Sequence, residues 1–161
     1  MRFAHDIFAE TNPAFCAYVL TGFAAAFTTV KDFGPEIPLA YLSLPVALSG
    51  DLSDCFEGTN KNTGLLEWLE RSPQVQIGLS ERLNGSMGIV TEAIRFGCFS
   101  EVLTVGIDAR LCLGKHKVKR TIAKTLSEGP SFALKHAERL GYWFANAGST
   151  RTVFDMMGIT I

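Results

Sequence analysis

Three groups of residues in this chain have side chains suited to chemistry. Gly85-Ser86-Met87-Gly88 comes close to a nucleophile elbow, the strained turn that lifts a serine for acyl transfer, but the G-x-S-x-G spacing is absent. A break between two helices accounts for these glycines better. Asp51, Asp54 and Glu57 fall on one side of a short helix. Paired carboxylates do acid–base work when burial raises the pKa of one of them. These three lie against the polar run EGTNKNTG and read as a solvated acidic face. The histidines are His5, His116 and His136, none with a second His, Cys or carboxylate at metal-ligand spacing. His116 lies in a basic run and His136 beside Glu138 on a helix, so both are expected at the surface. Walker A, G-x-G-x-x-G and H-E-x-x-H patterns are missing. No catalytic set, cofactor site or metal site emerges, and the chain reads as non-enzymatic.

The remaining chemical feature is a basic window, KHKVKRTIAK, with Lys115, Lys117, Lys119, Arg120 and Lys124 close together. Such a cluster can hold phosphates, which position a protein without specifying sequence. It can equally meet an acidic partner surface, or be plain solvated charge. The net charge of −1 gives no global pull toward nucleic acid.

The elements that must carry these residues belong to one domain of 161 residues. Only 19% of residues are charged and 47% are hydrophobic, against about 25% charged in an ordinary soluble domain. A chain so poor in charge has apolar surface that a partner can cover. The four cysteines, Cys16, Cys55, Cys98 and Cys112, sit in apolar settings without C-x-x-C spacing. They read as buried thiols of a reducing, cytoplasmic compartment. MRFAHDIFAE has acidic residues where a secretory core would be apolar. The run from Thr11 to Val30 carries no charge, but its Asn, Pro, Gly and Thr content favours a buried helix over a membrane span.

Asn12-Pro13 predicts a helix start, with Asn as N-cap and Pro at the first position. Phe15, Val19, Phe23 and Phe27 then recur every fourth residue, and small residues (Gly22, Ala24 to Ala26) let a second helix approach. Phe33-Gly34-Pro35 ends this central helix. Ile37 to Leu48 suits a buried strand or helix, and Pro45 favours a short helix. A short turn runs from Gly50 to Phe56. Thr63 is the expected cap of a helix carrying Leu65, Leu66, Trp68 and Leu69 on one side. A helix over Gln74 to Leu83, a break at Asn84 to Gly88 and a second helix to Gly97 come next. Leu103 and Val105, then Leu111 and Leu113, form the arms of a hairpin turning at Asp108 to Arg110.

Helix, turn, helix, hairpin is the order of a winged helix-turn-helix. The fold class is therefore mainly α with a small β-hairpin: a helical part over 12–73, a winged-helix-like part over 74–114, and C-terminal helices over 131–158 that pack back. The would-be recognition helix, GIVTEAIRFG, has too little Arg, Asn or Gln for base readout. Ser131 to Ala147 is a helix whose Leu134, Ala137, Leu140, Gly141 and Phe144 face the Asn12 helix. Tyr142 and Trp143 point elsewhere on it, either as anchors for a partner or closing the chain's own core. Gly148 suits the end of this helix and Ser149 the cap of a last short one.

Several segments in order carry a resemblance: Asn12-Pro13-Ala14-Phe15-Cys16, Leu44 to Leu48, Gly64 to Leu69, Ser80-Glu81-Arg82, Thr91 to Ile94, AERLGYWFANAG, and Thr152 to Ile159. Together they resemble the middle component of bacterial three-component ABC systems, the class that includes Lamassu-type antiviral defence. Met157 departs from the Trp expected before Gly158. The resemblance implies a small, non-enzymatic subunit without cofactors. It would join an ATPase resembling the structural-maintenance-of-chromosomes (SMC) family to an effector that is often a nuclease, with DNA reached through the complex and no membrane involved. Tyr142, Trp143, Phe154 and Met157 are the side chains expected at the partner contact. The competing reading is a free winged-helix DNA-binding regulator.

Overall fold

The computed structural model describes residues 12–119 and 128–160. Helix α1, Pro13–Lys31, starts as its sequence dictates: the Asn12 side chain accepts from the amides of Ala14 (2.9 Å) and Phe15 (3.4 Å). It ends at Asp32, whose left-handed backbone (φ 60°) lets its amide reach the Thr28 carbonyl. By length and composition α1 could cross a membrane. Here it is the axis of the core, with Cys16, Val19, Leu20, Phe23 and Phe27 buried.

Helix α2, Ile37–Leu48, is apolar on all sides and buried nearly throughout, as such a helix must be. Pro45 sits inside it, and the Ser49 hydroxyl donates to the Pro45 carbonyl (2.6 Å) near its end. A 3-10 segment, Gly50–Phe56, leads to the polar loop and then to the short helix α3, Leu65–Arg71. Thr63 does not cap α3. Gly64 stands at the cap position, and the Thr63 hydroxyl accepts from the Asn60 amide within the loop. Leu66 faces solvent, away from buried Leu65, Trp68 and Leu69.

The largest departure from expectation follows. A 3-10 turn at Pro73–Gln76 replaces the start of the helix expected from Gln74. Beyond it a single helix, α4, runs unbroken over Leu79–Phe99. The break expected at Asn84 to Gly88 is not there. Each glycine costs a helix about 1 kcal/mol relative to Ala, and burial of Leu79, Val90, Ala93 and Gly97 on the inner face outweighs that. The order expected for a winged helix-turn-helix over 74–114 therefore lacks its turn between two helices.

The hairpin forms as predicted. Strands β1, Leu103–Val105, and β2, Leu111–Leu113, pair antiparallel, with Leu103 opposite Leu113 and Val105 opposite Leu111. The turn between α1 and α2 binds it: Leu111 donates to the Pro35 carbonyl (2.7 Å) and Ile37 to the Ala109 carbonyl (3.1 Å). A Cβ at Gly34 would run into the Leu111 carbonyl, so only glycine fits there.

Helix α5, Glu128–Ala147, begins three residues earlier than expected and holds Pro130 in its first turn, where the missing amide costs nothing. It lies along α1, its most extensive contact. Gly141 marks the closest approach, and Phe144 meets Phe23 edge to face at 5.9 Å. Ser149 caps the last helix, α6, Thr150–Met156, by accepting from the Thr152 amide. One contiguous core links α1 through α6.

Candidate functional site

The aromatic residues expected at a partner surface are mostly internal. Trp143 is 0% exposed. Its ring stacks on Phe56 (5.9 Å, 7°) and tilts against Trp68 (5.1 Å), and its Nε1 donates to the Asn60 carbonyl (2.9 Å). Phe154 and Met157 are buried as well. Tyr142 is half-buried, with the Lys61 ammonium 5.8 Å from its ring centre. Trp143 therefore closes the chain's own core, one of the two roles the sequence left open. The buried face of α5 is wider than the row facing α1, because the 3-10 segment and α3 cover its other side.

His136 is also internal rather than solvated. Its ring stacks on Phe56 at 4.0 Å and 9° and on Phe132 at 6.0 Å. Burial pushes its pKa down to about 4, helped by the charge of Arg139, so the ring is neutral near pH 7. It lines a cavity of about 120 Å³ between the end of α2 and the start of α5, beside Phe15, Ser49 and Ser53. The Ala47 backbone, also in the cavity wall, hydrogen-bonds the imidazole and fixes its orientation.

His116 is exposed, 3.5 Å from the Glu101 carboxylate. Ser86 donates to the Leu83 carbonyl within α4, which leaves its hydroxyl on an ordinary helix rather than a strained elbow. Asp51, Asp54 and Glu57 are all exposed, as expected of a solvated acidic face. Asp51 takes both guanidinium nitrogens of Arg82 (2.8 and 3.1 Å), and those bonds hold its carboxyl below the usual range. Arg82 also donates to Ser49 (2.6 Å), pinning α4 to the end of α2. Among the described residues no three His, Cys, Asp or Glu gather to hold a metal.

In the basic window, Lys115 pairs with Glu101 at 2.9 Å, while Lys117 and Lys119 are exposed. Arg120 and Lys124 lie outside the described residues. Sequence reasoning missed Arg82 and Arg139 as tethers. Arg139 reaches the Phe56 carbonyl (3.0 Å) and the Thr59 hydroxyl (3.1 Å), tying α5 to the polar loop. Their partners lie 31 and about 80 residues away, beyond any local spacing.

Large apolar side chains do reach the surface elsewhere. Phe99 at the end of α4 is 88% exposed, Ile77 ahead of its start 76%, and Val105, Ile107 and Leu113 project from the hairpin. The geometry is that of a helical protein with a filled core and apolar residues left outside it, a class suited to contact with other proteins. The chain belongs to the family described as ABC-three component (ABC-3C) system Middle Component 3, whose model matches residues 3–161. It is thus a middle component of such a system, with an ABC ATPase and a further component as its partners. No curated protein and no solved structure matches the chain.

Proposed function

We propose that this chain is a non-enzymatic cytoplasmic adaptor that links an SMC-like ABC ATPase to an effector, often a nuclease, in an antiviral defence complex of the Lamassu type. The family match along almost the whole chain carries this reading. The exposed Phe99, Val105, Ile107 and Leu113 support it, since a core that is already full leaves them for other chains. In this reading DNA sensing and ATP hydrolysis lie with the ATPase, and cleavage with the effector. A free DNA-binding regulator is the second reading. It is favoured by exposed Lys117 and Lys119 directly after the hairpin, which would act as a wing.

Co-purification of the tagged full chain, expressed with its flanking genes, separates the two. The adaptor reading expects an ATPase and an effector to arrive together, with or without double-stranded DNA. Arrival alone, with DNA binding that falls steeply with salt, replaces it with the regulator.

A further inference from the structure

We propose that two copies of this chain associate through the outer face of α4, antiparallel, about a two-fold axis at Gly88. Glu81, Asn84, Gly88, Glu92, Arg95 and Phe99 are all exposed. Their steps of three and four place them within about 40° of one line along the helix at 3.6 residues per turn. Ile77 stands exposed just ahead of the helix. The line is therefore a helix face, polar but for Phe99, with nothing packed on it by the described chain.

The pattern is symmetric about Gly88. Glu81 and Arg95 lie seven residues to either side, and Asn84 and Glu92 four. Laid antiparallel on its own copy, the helix brings Phe99, about 16 Å from the axis, to the start of the second copy's α4. Arg95 meets Glu81, and Glu92 meets Asn84. Each contact occurs twice, as a self-complementary interface requires. A parallel arrangement would set Glu81 against Glu81 and Arg95 against Arg95. Charge complementarity thus selects a second copy in the antiparallel sense. Glu81 has no ion-pair partner among the described residues, whereas Arg95 holds Glu92 at 3.0 Å and keeps donors to spare.

The centre of the seam fits the same occupant. A Cβ added at Gly85 or Gly88 would meet nothing within 4 Å, so the chain's own packing does not demand these glycines. A second helix crossing there could approach closely.

This dimer needs no other subunit and stands apart from the adaptor reading. Sedimentation equilibrium on the purified full chain tests it. The expected result is a dimer weakened about tenfold by Glu81→Arg or by Arg95→Glu, and restored to near the parent affinity in the double swap. Gly88→Cys should cross-link the two copies under mild oxidation. Unchanged helical content in each variant guards against misfolding, and the positions are exposed. A monomer at all concentrations overturns the proposal. So does a dimer indifferent to the single swaps, or one that the double swap fails to restore. A monomeric chain whose single swaps break co-purification with the ATPase also overturns it, and assigns the seam to that partner.

Discussion

Gly141→Ala tests whether the closeness of α1 and α5 sets the stability of the core. A Cβ at position 141 would fall 2.5 Å from the Phe23 carbonyl oxygen, 2.9 Å from the Ala26 Cβ and 3.2 Å from the Phe27 nitrogen. Two of these are backbone atoms of α1 and cannot swing aside, so the helices must separate at their crossing. Overpacking costs about 1–3 kcal/mol, and the upper end applies because the shift also loosens Phe23 on Phe144. Alanine returns about 1 kcal/mol of helix propensity. The net loss is about 2 kcal/mol, which lowers Tm by about 4–8 °C in a chain of this length. Gly85→Ala is the control. With no atom within 4 Å of its Cβ, only the propensity gain remains, and Tm rises by about 2–4 °C. Thermal melts followed by far-UV circular dichroism, in dilute solution, report both. A Gly141→Ala chain as stable as the parent would refute the tight crossing.

Trp143→Ala removes a fully buried ring and leaves the Asn60 carbonyl without its donor. It should cost about 3–5 kcal/mol, seen as a large fall in the urea midpoint, and any loss of co-purification should track loss of fold. His136 folds with its pKa depressed to about 4, so the unfolded chain binds the extra proton first. Stability from this residue is full above about pH 6.5 and is lost as the pH falls toward 4. His136→Gln should flatten urea midpoints across that window; a slope that survives the substitution would place the titration elsewhere.

Much of the helix framework was legible because its signals are local. Asn12-Pro13 and Ser149 cap helices wherever their side chains can reach the next amides, and both do so. The recurrence of Phe15, Val19, Phe23 and Phe27 at every fourth position of α1 and the row ending in Phe144 on α5 identified the two faces that meet. The hairpin arms alternate around a turn and pair as read. Continuity of α4 was not legible. Asn84, Gly85 and Gly88 are weak helix residues, and only the burial of Val90 and Ala93 against elements far along the chain carries the helix through them. His136 was misplaced, and the role of Trp143 left open, for a related reason. Spacing showed one buried side of α5, but the second is created by Phe56 and Trp68, whose arrival depends on tertiary packing. Arg82 and Arg139 act over distances in sequence that no pattern reports.

The polar loop between Glu57 and Gly64 is fastened mainly through its peptide groups. Both tryptophans and two arginines donate into this region, to the carbonyls of Cys55, Phe56, Gly58 and Asn60. Every residue type supplies a carbonyl, so side chains such as Lys61 and Asn62 can drift among relatives without loosening the latch. Length is another matter. Adding or removing one residue between Phe56 and Asn60 moves the Asn60 carbonyl off the Trp143 indole while Phe56 stays held by Arg139. Natural variation in this loop should therefore appear as substitution without insertion or deletion, even though it is one of the most polar stretches of the chain.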